Sequence, residues 1–337
     1  MELGITSFAE TIPAPGGEGP THGERLRQIL EEVETAERVG LDVYGLGEHH
    51  RPDFASSAPV VVLAAAAGRT SKIRLFPAVS ILSTDDPVRV FQQYVTLDLV
   101  SAGRAELLVG RGSFIESFPL FGYSLSDYDE IFAEKLDLLL QLRDQEVVEW
   151  SGRFRTPIQG QGVYPRQERQ LPIRVAVGGT PASVVRAASR GLELALAIIG
   201  GSPDRFTALT DLYRRTLADS GHGPLPLSVH GHGFIAETTE EAVETFYPSY
   251  AVAMSRIGRE RGWGPMTPEQ FHFMRQPDGS LLVGDPETVA NKILRWKEIL
   301  GMDRFELHMS VGSMPHEKVL HSIELLGKEV GPLVSGS

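Results

Sequence analysis

Short apolar runs alternate along the chain with longer stretches whose apolar positions recur at helical spacing. "LGITSF" (Leu3 to Phe8) has strand composition, and an amphipathic stretch from Glu24 to Val39 ends at Gly40, which suits the position after a helix. The same alternation predicts strands at Asp42 to Gly47, Ile73 to Ser80 and Arg104 to Gly110, with helices at Ala58 to Arg69, Pro87 to Val100 and Asp127 to Arg143. "VVEWSGRF" reads as a hairpin turning at Ser151-Gly152. Strands follow at Ile173 to Gly178, Leu192 to Ile199 and Leu225 to Ala236, each preceding a helix (Pro181 to Arg190, Pro203 to Ala218, Glu240 to Arg261). Helix Pro286 to Leu300, strand Arg304 to Ser310 and helix His316 to Val330 close the pattern.

Eight nearly continuous apolar strands separated by helices point to a parallel sheet covered on its outer face. The reading is an α/β fold, a TIM (β/α)8 barrel forming one domain over residues 1–337, with insertions after strands four and seven, the latter from Gly262 to Leu282. A doubly wound sheet would carry a glycine-rich nucleotide loop after the first strand, and "SFAETIPAPGG" is not one. The Gly/Pro-rich stretch Ile12 to Pro20 reads as a surface loop.

Composition narrows the function. The chain has 337 residues, 42% of them hydrophobic, and a formal charge of −12, which disfavours nucleic acid or an anionic membrane as partner. Cysteine is absent, which removes disulfides, thiolate metal sites and cysteine nucleophiles. The N-terminal residues lack a basic, then apolar leader pattern, and the longest apolar stretch, Ala58 to Ala67, is too short to span a bilayer. A cytoplasmic location is the expectation.

A barrel of this kind places its site at the C-terminal strand ends. Those ends read Ser7-Phe8, Glu48-His49-His50, Ala78-Val79-Ser80, Gly110-Arg111-Gly112-Ser113, Gly178-Gly179-Thr180, Gly200-Gly201-Ser202 and His308-Met309-Ser310, with His230 and His232 on one face of strand seven. "GGTPAS" suits a phosphate through backbone N–H groups, the helix dipole, Thr180 and Ser183, but equally an ordinary turn with Thr180 as N-cap. Arg111, between glycines, is the better anion candidate. Glu48, His49, His50, His230, His232 and His308 raise a metal site, as in a metal-dependent hydrolase. Adjacent His49 and His50 point apart in an extended segment, however, and strand one lacks H-x-H, so no metal ligands are assigned.

Taken in order, "ERVGLDVYGLGEHH", "PAVSILSTDDPVRVFQQYVTLDLVSAGRAELLVGRG", "RVAVGGTPASVVRAASRGLELALAI" and "VGDPETVANKI" resemble the bacterial luciferase-like, flavin-dependent monooxygenases over essentially the whole chain. The resemblance implies reduced FMN as co-substrate, O2, a small-molecule substrate, a separate NAD(P)H-dependent flavin reductase and a homodimer formed by early helices, for which Val90, Phe91, Tyr94 and Leu97 offer apolar positions that would equally pack on the barrel. It implies His49 beside the reactive flavin edge with Glu48 supporting it, and a non-proline cis peptide at Ala78-Val79, followed by Ser80, under the ring. Arg111, Gly178, Gly179, Thr180 and Ser183 would then hold the phosphate. Luciferase itself has a cysteine where this chain has Gly110, an acidic residue and a serine at Gly178-Gly179, and a second phosphate-binding arginine near Asp129-Glu130, so that contact is expected to be missing and aldehyde luminescence is not supported. Relatives using a deazaflavin for hydride transfer, and non-catalytic flavin-binding relatives, are the alternatives. Phe114, Phe118, Phe121, Trp263 and Phe273 hint at an apolar substrate pocket.

Overall fold

The computed structural model describes residues 1–13, 16–112 and 114–335. Strand one (Glu2–Ser7) pairs in parallel with strand two (Val43–Leu46) on one side and strand eight (Arg304–His308) on the other. Strand two pairs with Arg74–Pro77, the first part of strand three. Its second part, Ser80–Ile81, pairs with strand four (Leu107–Gly110), and a bridge between Leu75 and Ala105 closes the same gap lower down. Strands five (Ile173–Val177), six (Glu193–Ile198) and seven (Leu227–Ile235) complete the circuit back to strand eight, all in parallel register. The fold is therefore an α/β barrel, with helices outside.

Local chemistry sets the helix ends. The Thr21 side chain and Glu24 form a reciprocal capping box at the start of His22–Arg38. Asp86 caps Pro87–Val100 by accepting from the Val88 and Arg89 amides, and Asp285 does the same for Pro286–Leu300 through Thr288. Proline at the first helical position fixes φ and sacrifices an amide that had no intrahelical partner.

Two readings need correction. The 147–162 segment is an antiparallel pair, but its strands are Val147–Trp150 and Ile158–Gly162, so Ser151-Gly152 belongs to a longer connection and is not the turn. Strand three is interrupted at Ala78-Val79, where the peptide bond is cis. Ser113, named above at the end of strand four, and part of the Ile12 to Pro20 loop lie outside the described residues. Among the described residues no helix is long and apolar enough to cross a membrane.

The lower barrel is filled by charge. Glu106 accepts two hydrogen bonds from Arg304, at 2.7 and 3.0 Å, and lies 3.3 Å from Arg174, whose other guanidinium nitrogen donates to Glu306 at 2.8 Å. Above this layer sit Val43, Phe76, Leu108 and Ala195, and the Phe76 ring occupies the room that Gly45 leaves. Higher still the lining residues shrink to Ala176 and Ala197, and the barrel is hollow.

Candidate active site

A cavity of about 340 Å³ opens at the C-terminal strand ends, and every barrel strand or the loop following it contributes to its wall. Thr6, His230 and Glu306 line its deep part; Glu48, His49, His50, Ala78, Val79, Arg111, Phe114, Gly178 and Thr180 line its upper part. Strand two ends facing this space because Leu46 is its last paired residue, leaving Glu48 to His50 in the loop beyond.

The three residues of that loop divide their work. Glu48 is buried with both carboxylate oxygens engaged: one accepts the Ile81 amide at 3.0 Å, the other lies 3.1 Å from His50 Nε2. It thereby ties strand two to the chain just beyond the cis bond. His49 turns instead against Phe8, Phe54 and Phe114, with ring centroids 4.9, 4.2 and 5.4 Å away. Its Nε2 is buried without a partner. Burial lowers its pKa to about 3, against the pull of a hydrogen bond to the Glu48 carbonyl. His49 is therefore a neutral imidazole near pH 7.

The other end of the cavity has the features of an anion site. An added Cβ at Gly178 or Gly179 would meet nothing within 4 Å, so the backbone there borders open space, and Gly179 has φ +125°, which disfavours a side chain. Thr180 precedes helix Pro181–Ala188 but makes no side-chain capping bond, and Ser183 Oγ is buried without a partner. Arg111 is paired with Asp129 and lies 4.8 Å from the centre of the Tyr128 ring. Arg186, which the sequence reading missed, lies 3.8 Å from the same Asp129 oxygen, with its Nη1 buried and unpartnered. A second guanidinium group therefore lies beside Asp129, on the helix after strand five. Two guanidinium groups, an unused hydroxyl and a helix N-terminus fit a phosphate.

Arg51 spans the mouth. It bonds Glu116 at 2.8 Å and Glu260 at 2.7 Å, and its guanidinium lies 4.6 Å from the centre of the Phe114 ring. Phe114 lines the cavity, whereas Phe118 is buried beside Tyr128, and Phe121 packs its edge on His50. Trp263 and Phe273 line a separate surface hollow with Met254, Met266 and Met274. Ser80 is buried at the start of the second part of strand three. His230, His232 and His308 do gather, with centroids 5.2 to 5.8 Å apart, but among the described residues no group of three or more potential ligands has a metal-holding arrangement.

Comparison with known proteins gives a consistent family. The model of the luciferase-like monooxygenases matches residues 1–304. A luciferase-like monooxygenase of Escherichia coli (strain K12) is 25% identical over 331 residues, covering 95% of each chain. Among solved structures, the oxygenating constituent of 3,6-diketocamphane monooxygenase from Pseudomonas putida, in complex with FMN, superposes with a TM-score of 0.81 at 20% identity, covering 98% of both chains. The coenzyme F420-dependent tetrahydromethanopterin reductase from Methanopyrus kandleri has the same fold, with a TM-score of 0.73, 18% identity and 98% of both chains covered.

Proposed function

The chain belongs to the luciferase-like monooxygenase family, and on that premise we propose that it is an FMN-dependent monooxygenase that takes reduced flavin as co-substrate and oxidises a small, largely apolar molecule with O2. The carrying observation is an unpaired histidine nitrogen in an aromatic wall of the cavity and, at its other end, Arg111, Gly178 and Thr180, backed by Gly179, Ser183 and Arg186 as an anion cradle. Reduced flavin supplies, when bound, the two electrons with which O2 is activated. The protein's part is to anchor the phosphate, to set the ring against the Ala78-Val79 wall, to exclude water with Phe8, Phe54 and Phe114, and to present His49 Nε2. No glycine-rich dinucleotide loop follows strand one, which supports reduction by a separate NAD(P)H-dependent flavin reductase.

Titration with oxidised FMN, reduced FMN and a reduced deazaflavin tests this reading. Reduced FMN is expected to bind and to drive oxygen uptake; preference for the deazaflavin, with hydride transfer and no oxygen consumption, would replace it. Arg186→Ala should weaken FMN about 10-fold or more, from loss of a charge-assisted hydrogen bond, while leaving riboflavin affinity unchanged. Equal losses for both ligands would remove Arg186 from the phosphate site.

We also propose a homodimer through early helices, but not through the four apolar positions that the sequence offered. Val90, Phe91, Tyr94 and Leu97 are all buried within the single chain, so they pack on the barrel. Helix Pro59–Ala67, by contrast, carries no polar side chain, and yet Val61 is 66% exposed; Val100, on the neighbouring helix, is 67% exposed. An apolar helix with a bare outer face calls for a cover. The double substitution Val61→Asp with Val100→Asp should give a folded monomer in sedimentation velocity where the native chain sediments as a dimer.

A further inference from the structure

Glu10, His308, Thr6 and His230 form an unbroken hydrogen-bonded line through the barrel wall. His230 lines the cavity, and its Nε2 lies 2.9 Å from Thr6 Oγ1. The same oxygen lies 3.1 Å from His308 Nδ1, and His308 Nε2 is 2.9 Å from Glu10 Oε1. Thr6, His308 and Glu10 are all buried. Glu10 reaches a narrow crevice on the far side, lined also by Arg25, Glu32, Ser310 and His316. The line therefore runs from the cavity to a small polar crevice between strand one, helix His22–Arg38 and the loop after strand eight.

We propose that these four residues are a proton relay that removes a proton from the active-site cavity and delivers it to Glu10. In the form that carries a proton outward, with His308 neutral and Glu10 ionised, donor and acceptor rules set its direction. An ionised carboxylate only accepts, so the single proton of a neutral His308 sits on Nε2 and leaves a lone pair at Nδ1. Thr6 must then donate to His308, which leaves its oxygen lone pair for a proton on His230 Nε2. Every donor points away from the cavity, and His230 Nδ1 is the free acceptor. One transfer runs as follows: His230 Nδ1 takes a proton from the cavity, and its Nε2 proton passes to Thr6. The Thr6 proton passes to His308 Nδ1, and the His308 Nε2 proton passes to Glu10. One proton leaves the cavity, Glu10 becomes a carboxylic acid, and each carrier ends neutral. Glu10 Oε2, buried and without a partner, leaves that carboxylate with unused acceptor capacity. Burial holds His230 neutral, with its pKa lowered to about 3, as a carrier in such a line requires.

His230 meets the ligand; Thr6, His308 and Glu10 act through it as positioning and relay residues. Only the identity of the ligand rests on the flavin reading. The test has two arms. Nitrogen-15 NMR of the intact chain should find both His308 and His230 as Nε2–H tautomers, with His230 changing its shift in Thr6→Val. In turnover with reduced FMN and O2, Thr6→Val should lower kcat about 100-fold, raise the solvent deuterium isotope effect and leave the FMN Kd unchanged. Thr6→Ser should restore the rate, and Glu10→Gln should repeat the loss without moving the thermal midpoint. An Nδ1–H tautomer at His308, or native kcat and isotope effect in Thr6→Val, overturns the relay. If no reduced flavin binds but both Nε2–H tautomers are found and His230 responds to Thr6→Val, the flavin reading fails and the relay stands.

Discussion

His49→Gln should lower turnover with reduced FMN by about 100-fold or more and change flavin affinity by no more than about threefold. The ring lines the cavity, is packed by three aromatic contacts, and keeps its buried Nε2 without a partner. Its hydrogen bond to the Glu48 carbonyl leaves Nε2 as the acceptor. Gln matches much of the volume but cannot present a basic nitrogen there. Because the pKa sits at about 3, turnover should show no inflection from His49 between pH 5 and 8. Stability carries the signature instead. His49, His230 and His232 all have folded values lowered below 6.5 by burial, so the unfolded chain takes up protons that the folded chain refuses. Their contribution is complete above about pH 6.5 and is lost as pH falls toward 3; chemical denaturation across that window measures it, and His49→Gln should flatten the slope. A turnover loss that parallels a loss of flavin affinity would assign His49 to binding alone.

The barrel and most of its helices were legible because each βα unit repeats the same physics: a continuous apolar run, a break, then a capped periodic stretch. Helices Pro87–Val100 and Pro286–Leu300 begin and end where proline, aspartate and periodicity place them. The hairpin turn was misplaced because Ile158–Gly162 reads "IQGQG", with two glycines and one apolar residue, and carries no strand signal of its own. Side chains that meet across the barrel were the other blind spot. Arg186 lies on a different βα unit from Arg111, and nothing in its helical stretch marks it as facing an anion. Glu10 and His308 stand at opposite ends of the chain and become neighbours only because strand one pairs with strand eight. Gly110 shows the converse. A Cβ there would lie 2.8 Å from the Val79 side chain, so the cysteine that luciferase carries at this position has no room beside Val79 in this chain.

Glu106→Ala should destabilise the fold by about 3–5 kcal/mol, the usual result of stripping one partner from a buried charge cluster. For a chain of this length that is roughly a 6 °C fall in Tm. Arg174 and Arg304 are both buried, and each depends on Glu106 for part of its neutralisation. Glu106 has its pKa lowered to about 2, as attraction to Arg174, Arg304 and Arg74 outweighs the burial that would raise it. Its stabilisation is therefore complete above about pH 4.5 and is lost as pH falls toward 2, a window the alanine variant should no longer show. The consequence reaches the active site through Arg174. That side chain also donates to Ser228 and to Glu306, which lines the cavity floor, so an Arg174 released from Glu106 keeps Glu306 as its charged partner at the base of the cavity. Glu106→Gln keeps the shape and one acceptor oxygen, and should cost less than alanine while losing the acid-sensitive slope equally. An alanine variant within about 1 kcal/mol of the native chain in urea unfolding would mean that water, and not this carboxylate, balances the arginines at the base of the barrel.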